Sequence, residues 1–200
     1  AMASPRKDTL RLACVSTFPP RPCGLGTFAY DLIQGLAALR PPVAVVIAAI
    51  DEPDERNSYG PLVQLRMEEG DRASYVEAAR RLDRMPEVEV VSIQHDFGRF
   101  GVWRDAFEED YLVPMLGALH KPVVVTMHSV LPHPEPLVRE TVRAMAHRVA
   151  AVVVMARTAR MLLRRDYGFE KDTLDKVRLI PHGVPVFVRA GALAARQALG

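Results

Sequence analysis

Apolar and polar positions along this chain follow two alternating rhythms. Residues 10–15 form an apolar run interrupted only by Arg11, and Pro19, Pro20, Pro22 and Gly24 follow at once, the pattern of a short strand leading into a loop. From Thr27 onward Phe28, Leu32, Ile33, Leu36 and Leu39 recur at three- and four-residue spacing, which predicts a helix that stops before Pro41-Pro42. Residues 43–50 are β-branched or alanine almost throughout, as in a strand buried on both faces. Further on, 61–67 predicts a shorter strand, 71–85 a helix with Tyr75, Val76, Ala79 and Leu82 facing inward, and 88–93 a strand. A loop over 94–101 precedes a second amphipathic helix marked by Ala106, Phe107, Tyr111, Leu112, Met115, Leu116 and Leu119. Strands at 123–127, 150–155 and 177–180 alternate with helices near 135–148 and 157–167. No Asn-Gly hairpin signal interrupts the series, so right-handed crossovers are expected. The predicted fold class is α/β, doubly wound, with a mainly parallel sheet and helices on both faces.

Composition narrows the picture. Two hundred residues, 49% hydrophobic and 25% charged, suffice for one well-buried core and are too few for two ordinary domains with a linker. A formal charge of +2 with no dense Lys/Arg block gives no reason to expect nucleic acid as a partner. Cys14 and Cys23 are too sparse for a disulfide framework and lack metal-ligand spacing, which fits a reducing cytoplasm. No apolar stretch approaches the roughly 20 residues that span a bilayer, and no signal-peptide pattern opens the chain. The charged stretches at 68–72, 80–84 and 160–166 read as solvated helix faces.

In doubly wound sheets ligands bind at the carboxyl ends of the strands, where successive crossovers diverge. The segment Pro22-Cys23-Gly24-Leu25-Gly26-Thr27 follows the first strand and leads into a helix, so its amides could approach a phosphate oxygen. The same segment serves equally as a glycine-permitted tight turn with Thr27 as N-cap, and local sequence favours the turn. A dinucleotide fingerprint would need a third glycine. Later strand ends bring Gln94-His95-Asp96-Phe97-Gly98, Thr126-Met127-His128-Ser129 and Pro181-His182-Gly183 to one edge of the sheet. Each histidine is as readily a structural residue as a ligand contact, and it is their convergence that weights the reading toward neutral imidazoles that hydrogen-bond sugar hydroxyls or phosphates. His120, His133 and His147 fall away from strand ends. The long spacings give no zinc-site pattern, and no G-x-S-x-G elbow marks a hydrolase.

Together, Gly24-Leu25-Gly26-Thr27, Ser92-Ile93-Gln94-His95-Asp96-Phe97-Gly98, Val125-Thr126-Met127-His128 and Leu179-Ile180-Pro181-His182-Gly183-Val184 resemble, in order, the N-terminal half of a retaining GT-B glycosyltransferase of the group 1, or family 4, type. The resemblance divides the chain into a leader with a cloning remnant at 1–8, a Rossmann-like acceptor-side domain at 9–185 and the start of an interdomain linker at 186–200. It implies an enzyme that moves a sugar from a nucleotide-diphosphate sugar to a sugar or glycolipid-type acceptor with retained anomeric configuration. In that picture Gly24, Gly26 and Thr27, with His182 and Gly183, bind the donor and its phosphates, His128 is the catalytic residue near the donor sugar, and His95, Asp96 and Phe97 line the acceptor pocket. No cofactor and no obligate metal are expected. Many relatives carry Gly-Gly where this chain has Gly24-Leu25-Gly26.

A C-terminal donor-binding domain would complete such an enzyme, so the natural polypeptide is expected at roughly double this mass, and these residues by themselves are expected to be inactive. The competing readings are a non-catalytic nucleotide- or sugar-binding module and another GT-B-shaped enzyme such as a sugar-nucleotide epimerase or a phosphorylase. An apolar strip left bare by the missing half predicts concentration-dependent self-association of the chain, measurable by sedimentation; a monomer at every concentration would contradict it.

Overall fold

The computed structural model describes residues 9–54 and 57–183. In chain order they form β1 (Arg11–Ser16), α1 (Gly24–Ala37), β2 (Ala44–Asp51), β3 (Val63–Glu68), α2 (Arg72–Arg84), β4 (Val90–His95), β5 (Gly101–Trp103), β6 (Phe107–Asp110), α3 (Leu112–Gly117), β7 (Val123–Met127), α4 (Pro136–Arg148), β8 (Ala151–Val154), α5 (Arg157–Arg165), α6 (Lys171–Leu174) and β9 (Val177–Leu179). The expected leader and linker segments, and Val184 of the last motif, lie outside the described residues.

Seven strands make one sheet in the order β3-β2-β1-β4-β7-β8-β9, and every pairing in it is parallel. The chain winds outward from β1 to β3, then crosses back over β1 to β4 and continues the other way. That reversal is a topological switch point, and it opens between the loops that follow β1 and β4.

Strand alternation sorts the core into two layers. Cys14, Ile47 and Ala49 point to the face where Ala29 and Ile33 of α1 pack. Their neighbours Ala13, Val15, Ala48 and Ile50 point to the opposite face, with Val91, Ile93, Val125 and Val152 and with Tyr75 and Leu82 of α2, Leu112 and Met115 of α3, Val142 and Met145 of α4 and Leu163 of α5. Helices therefore cover both faces, because right-handed crossovers change sides when the winding direction reverses.

The short helix α6 was not expected, and the largest departure from the sequence reading falls between β4 and α3. The strand expected to end at Ile93 continues through His95, and the residues expected to open a long helix at Ala106 instead form the antiparallel hairpin β5-β6, outside the main sheet. Two interactions decide this. The Asp110 carboxylate accepts hydrogen bonds from the amides of Leu112 and Val113 at 2.9 and 3.0 Å, so helix α3 cannot begin before it. Phe107 packs against Phe97 at 5.5 Å and Trp103 at 5.8 Å between ring centroids, a long-range aromatic cluster that helical spacing does not register.

The hairpin closes on Gly101, where a Cβ would sit 2.1 Å from the Glu109 carbonyl oxygen and 2.4 Å from the Phe107 ring. Gly101→Ala is expected to cost at least about 1–3 kcal/mol of stability. The single tryptophan, Trp103, lies in the same hairpin and its fluorescence during urea unfolding reads the change; an unaltered midpoint would contradict this packing.

Candidate functional site at the switch point

The loop after β1 is held by a buried cation. Arg21, 3% exposed, donates to the Ile50 carbonyl at 3.1 Å, to Glu52 at 2.7 Å and to Glu69 at 2.6 Å, and Arg99 from the loop after β4 makes a short ion pair with the same Glu69. The carboxyl ends of β1, β2, β3 and β4 are thus tied together. The sequence reading missed Arg21, since an arginine in a proline-rich loop looks like surface.

Upon this base the first turn of α1 is laid. The helix starts at Gly24, one turn earlier than the apolar spacing indicates, so its N-cap is Cys23 and not Thr27. Thr27 instead closes the turn, its amide bonding the Cys23 carbonyl at 3.0 Å and its hydroxyl donating to the same oxygen at 3.2 Å. The amides of Gly24, Leu25 and Gly26 precede the first intrahelical bond, and so have no carbonyl partner within the helix. Gly26 is buried, and a Cβ there would come within 3.3 Å of the Phe18 backbone nitrogen, so glycine sets how closely this turn approaches the loop beneath it. The Cys23 thiol is drawn below its usual pKa: burial opposes this, but the Thr17 hydroxyl, the Gly26 and Leu25 amides and the Arg99 charge outweigh burial. Buried Cys14 is pushed up to about 12.

The three strand-end motifs meet α1 here. Phe28, on the second turn of α1, sits edge-on to the His128 ring at 4.7 Å and to the His182 ring at 4.9 Å, so a single aromatic residue bridges the ends of β7 and β9. His128 is half-buried, bonds the His95 carbonyl through its amide at 3.0 Å and shares a 3.0 Å hydrogen bond between its Nε2 and Gln94 Oε1. Its pKa is lowered to about 4, mainly by burial and further by His182, while Asp96 acts in the opposite sense. Gly183 is exposed beside His182, whose Nδ1 lies 3.1 Å from its carbonyl.

The acceptor candidates separate by depth. Asp96 is half-buried, accepting from the Gly98 amide at 3.1 Å and the Ser129 hydroxyl at 3.0 Å. His95 and Phe97, at 1% and 3% exposure, lie beneath the surface; the His95 ring is packed between Phe97 at 4.8 Å and Phe100 at 5.4 Å, with no hydrogen-bond partner for either nitrogen. No group of three or more metal-ligating side chains occurs among the described residues. Nor is any helix among them long and apolar enough to cross a membrane.

A seven-stranded, all-parallel, doubly wound sheet with helices on both faces is a fold of the Rossmann-like class. Residues 22–186 match the family model of Glycosyltransferase Family 4, and the chain belongs to that family. The comparison with curated proteins found no match. Among solved structures, the UDP-GlcNAc 2-epimerase from Methanocaldococcus jannaschii is similar with a TM-score of 0.45 and 12% identity, over 86% of this chain and 45% of that one. This chain spans a little under half the length of that structure.

Burial pushes the pKa of His95, like that of His128, from 6.5 to about 4. Between those values the unfolded chain binds more protons than the folded one, so stability is complete above about pH 6.5 and falls as the pH drops toward 4. The urea midpoint is expected to decrease from pH 7 to pH 5, and to decrease less in His95→Leu. An equal decrease in the variant would contradict the assignment.

Proposed function

We propose that this chain is the acceptor-side half of a glycosyltransferase that moves a sugar from a nucleotide-diphosphate sugar to an acceptor hydroxyl with retention of anomeric configuration. The observation that carries the reading is the convergence of the open N-terminus of α1, His128 and His182 around Phe28. Family membership supports the reaction class.

In this reading the amides of Gly24, Leu25 and Gly26 face the diphosphate. The partial positive charge of a helix N-terminus stabilises an anion by about 0.3–1 kcal/mol at an exposed site and up to about 2 kcal/mol when partly buried. That charge counts for more as the bond between the anomeric carbon and the diphosphate oxygen breaks, because the departing group gains negative charge. The acceptor oxygen bonds to the anomeric carbon from the face the diphosphate leaves, and its proton departs with the displaced anion. His128, neutral at physiological pH, hydrogen-bonds the donor sugar without adding a positive charge next to an electron-poor carbon. Asp96 and Ser129 contact the acceptor. His95 and Phe97 support those two loops from below. His182 and Gly183 border the donor at the far side. No cofactor or metal is required by this scheme.

The natural polypeptide carrying this chain is to be assayed with a panel of nucleotide-diphosphate sugars, following transfer, plain hydrolysis and the anomeric configuration of the product by NMR. Transfer with retention is expected, and His128→Ala is expected to lower kcat about a hundredfold, the scale of losing one transition-state hydrogen bond. Absence of activity toward every donor, inversion of configuration, or an unaffected variant would overturn the proposal.

A further inference from the structure

Strand β4 has a parallel neighbour on each side, yet it carries two polar residues at alternate positions, Ser92 and Gln94. Register sets Ser92 beside Cys14 of β1 and Val124 of β7, and Gln94 beside Thr126, on the face where α1 packs. Gln94 has no exposed surface and Ser92 is 7% exposed. Apolar residues would suit such positions better, because a buried amide costs free energy unless each of its polar atoms is bonded.

The hydrogen bonds of this pair run in one direction. The Gln94 amide nitrogen donates to Ser92 Oγ at 3.2 Å, which leaves the Gln94 oxygen directed at His128 Nε2, 3.0 Å away. A carbonyl oxygen accepts only from a protonated ring nitrogen. With the Gln94 amide so oriented, the proton sits on Nε2 and Nδ1 carries a lone pair. Among the described residues Nδ1 has no hydrogen-bond partner, and it is not one of the buried atoms lacking one, so it is open to solvent.

We propose that Gln94 is the positioning residue that holds His128 in its Nε2–H form, so that His128 offers the ligand an acceptor and not a donor. A sugar hydroxyl, which donates, fits opposite Nδ1; a diphosphate oxygen, which only accepts, is repelled there. The imidazole thereby separates the sugar end of a donor from its phosphate end and fixes the direction in which the donor lies against α1. The tautomer is a property of this chain by itself, while its meaning for the donor rests on the glycosyltransferase reading. The other titratable groups acting on this ring are Asp96, His182 and His95.

The test is a long-range 15N–1H spectrum of the chain labelled at histidine, recorded near neutral pH for wild type, Gln94→Glu and Gln94→Met. In wild type the His128 Nε2 is expected at a protonated, pyrrole-like shift and Nδ1 at a bare, pyridine-like one. Gln94→Glu keeps an acceptor at the same place, so it should preserve this pattern and raise the His128 titration midpoint. Gln94→Met, similar in size but without an acceptor, should move both shifts toward a mixture of tautomers while the backbone amide spectrum persists. A wild-type proton on Nδ1, or an unchanged pattern in a folded Gln94→Met, would overturn the proposal. Should the methionine variant not fold, the wild-type and glutamate spectra decide it. In the natural polypeptide, donors lacking one hydroxyl at a time should include one whose penalty shrinks about tenfold or more in Gln94→Met, the worth of one hydrogen bond. If the protein transfers no sugar at all, the glycosyltransferase reading fails and the tautomer is still decided by the spectra.

Discussion

Burying a guanidinium beneath a surface loop is costly unless charge and hydrogen bonds replace the lost water, and the whole candidate site rests on one that is so compensated. Arg21 lies under the turn that joins β1 to α1, paired with Glu52 and Glu69 and bonded to the Ile50 carbonyl. Losing Glu69 would cost stability, because the buried guanidinium would be left with the half-exposed Glu52 and one carbonyl to replace the water it has lost. Through Glu69 and Arg99 the same network reaches the loop after β4. The loops that bear Gly24 to Thr27 and His95 to Phe97 are in this way fixed relative to each other, although they belong to different crossovers.

From that anchor the site follows by close packing. Gly26 lets the first turn of α1 press against the backbone of Thr17 and Phe18. Phe28 is carried one turn further, into contact with both His128 and His182. Glycine at position 26 is thus first a packing requirement.

Much of this was legible in the order of the residues. Runs such as 43–50 and 123–127 are apolar on both sides of the strand, which only a covered parallel sheet tolerates, and the topology then places His128 and His182 at one edge without further information. The hairpin at 101–110 was not legible. Phe107, Tyr111, Leu112 and Met115 carry helical spacing, and their fate is decided by the Asp110 side chain and by contacts with Phe97 and Trp103. Depth was equally hidden: His95 and Phe97 belong to a strand-end motif, but the hairpin's Trp103 and Phe107 pack on Phe97, and Phe97 with Phe100 flanks the His95 ring. Gln94 did leave a signal, a polar residue two positions after Ser92 in a central strand that also carries Val90, Val91 and Ile93. Recognising it requires asking why a buried strand keeps an amide.

The central claim is that the first-turn amides of α1 hold the diphosphate of a sugar donor. A crystal structure of the natural polypeptide with a nucleoside diphosphate bound tests it most directly. The account predicts phosphate oxygens within hydrogen-bond distance of the Leu25 or Gly26 amide, on the side of Phe28 where His128 and His182 stand. A diphosphate bound away from α1 would contradict it.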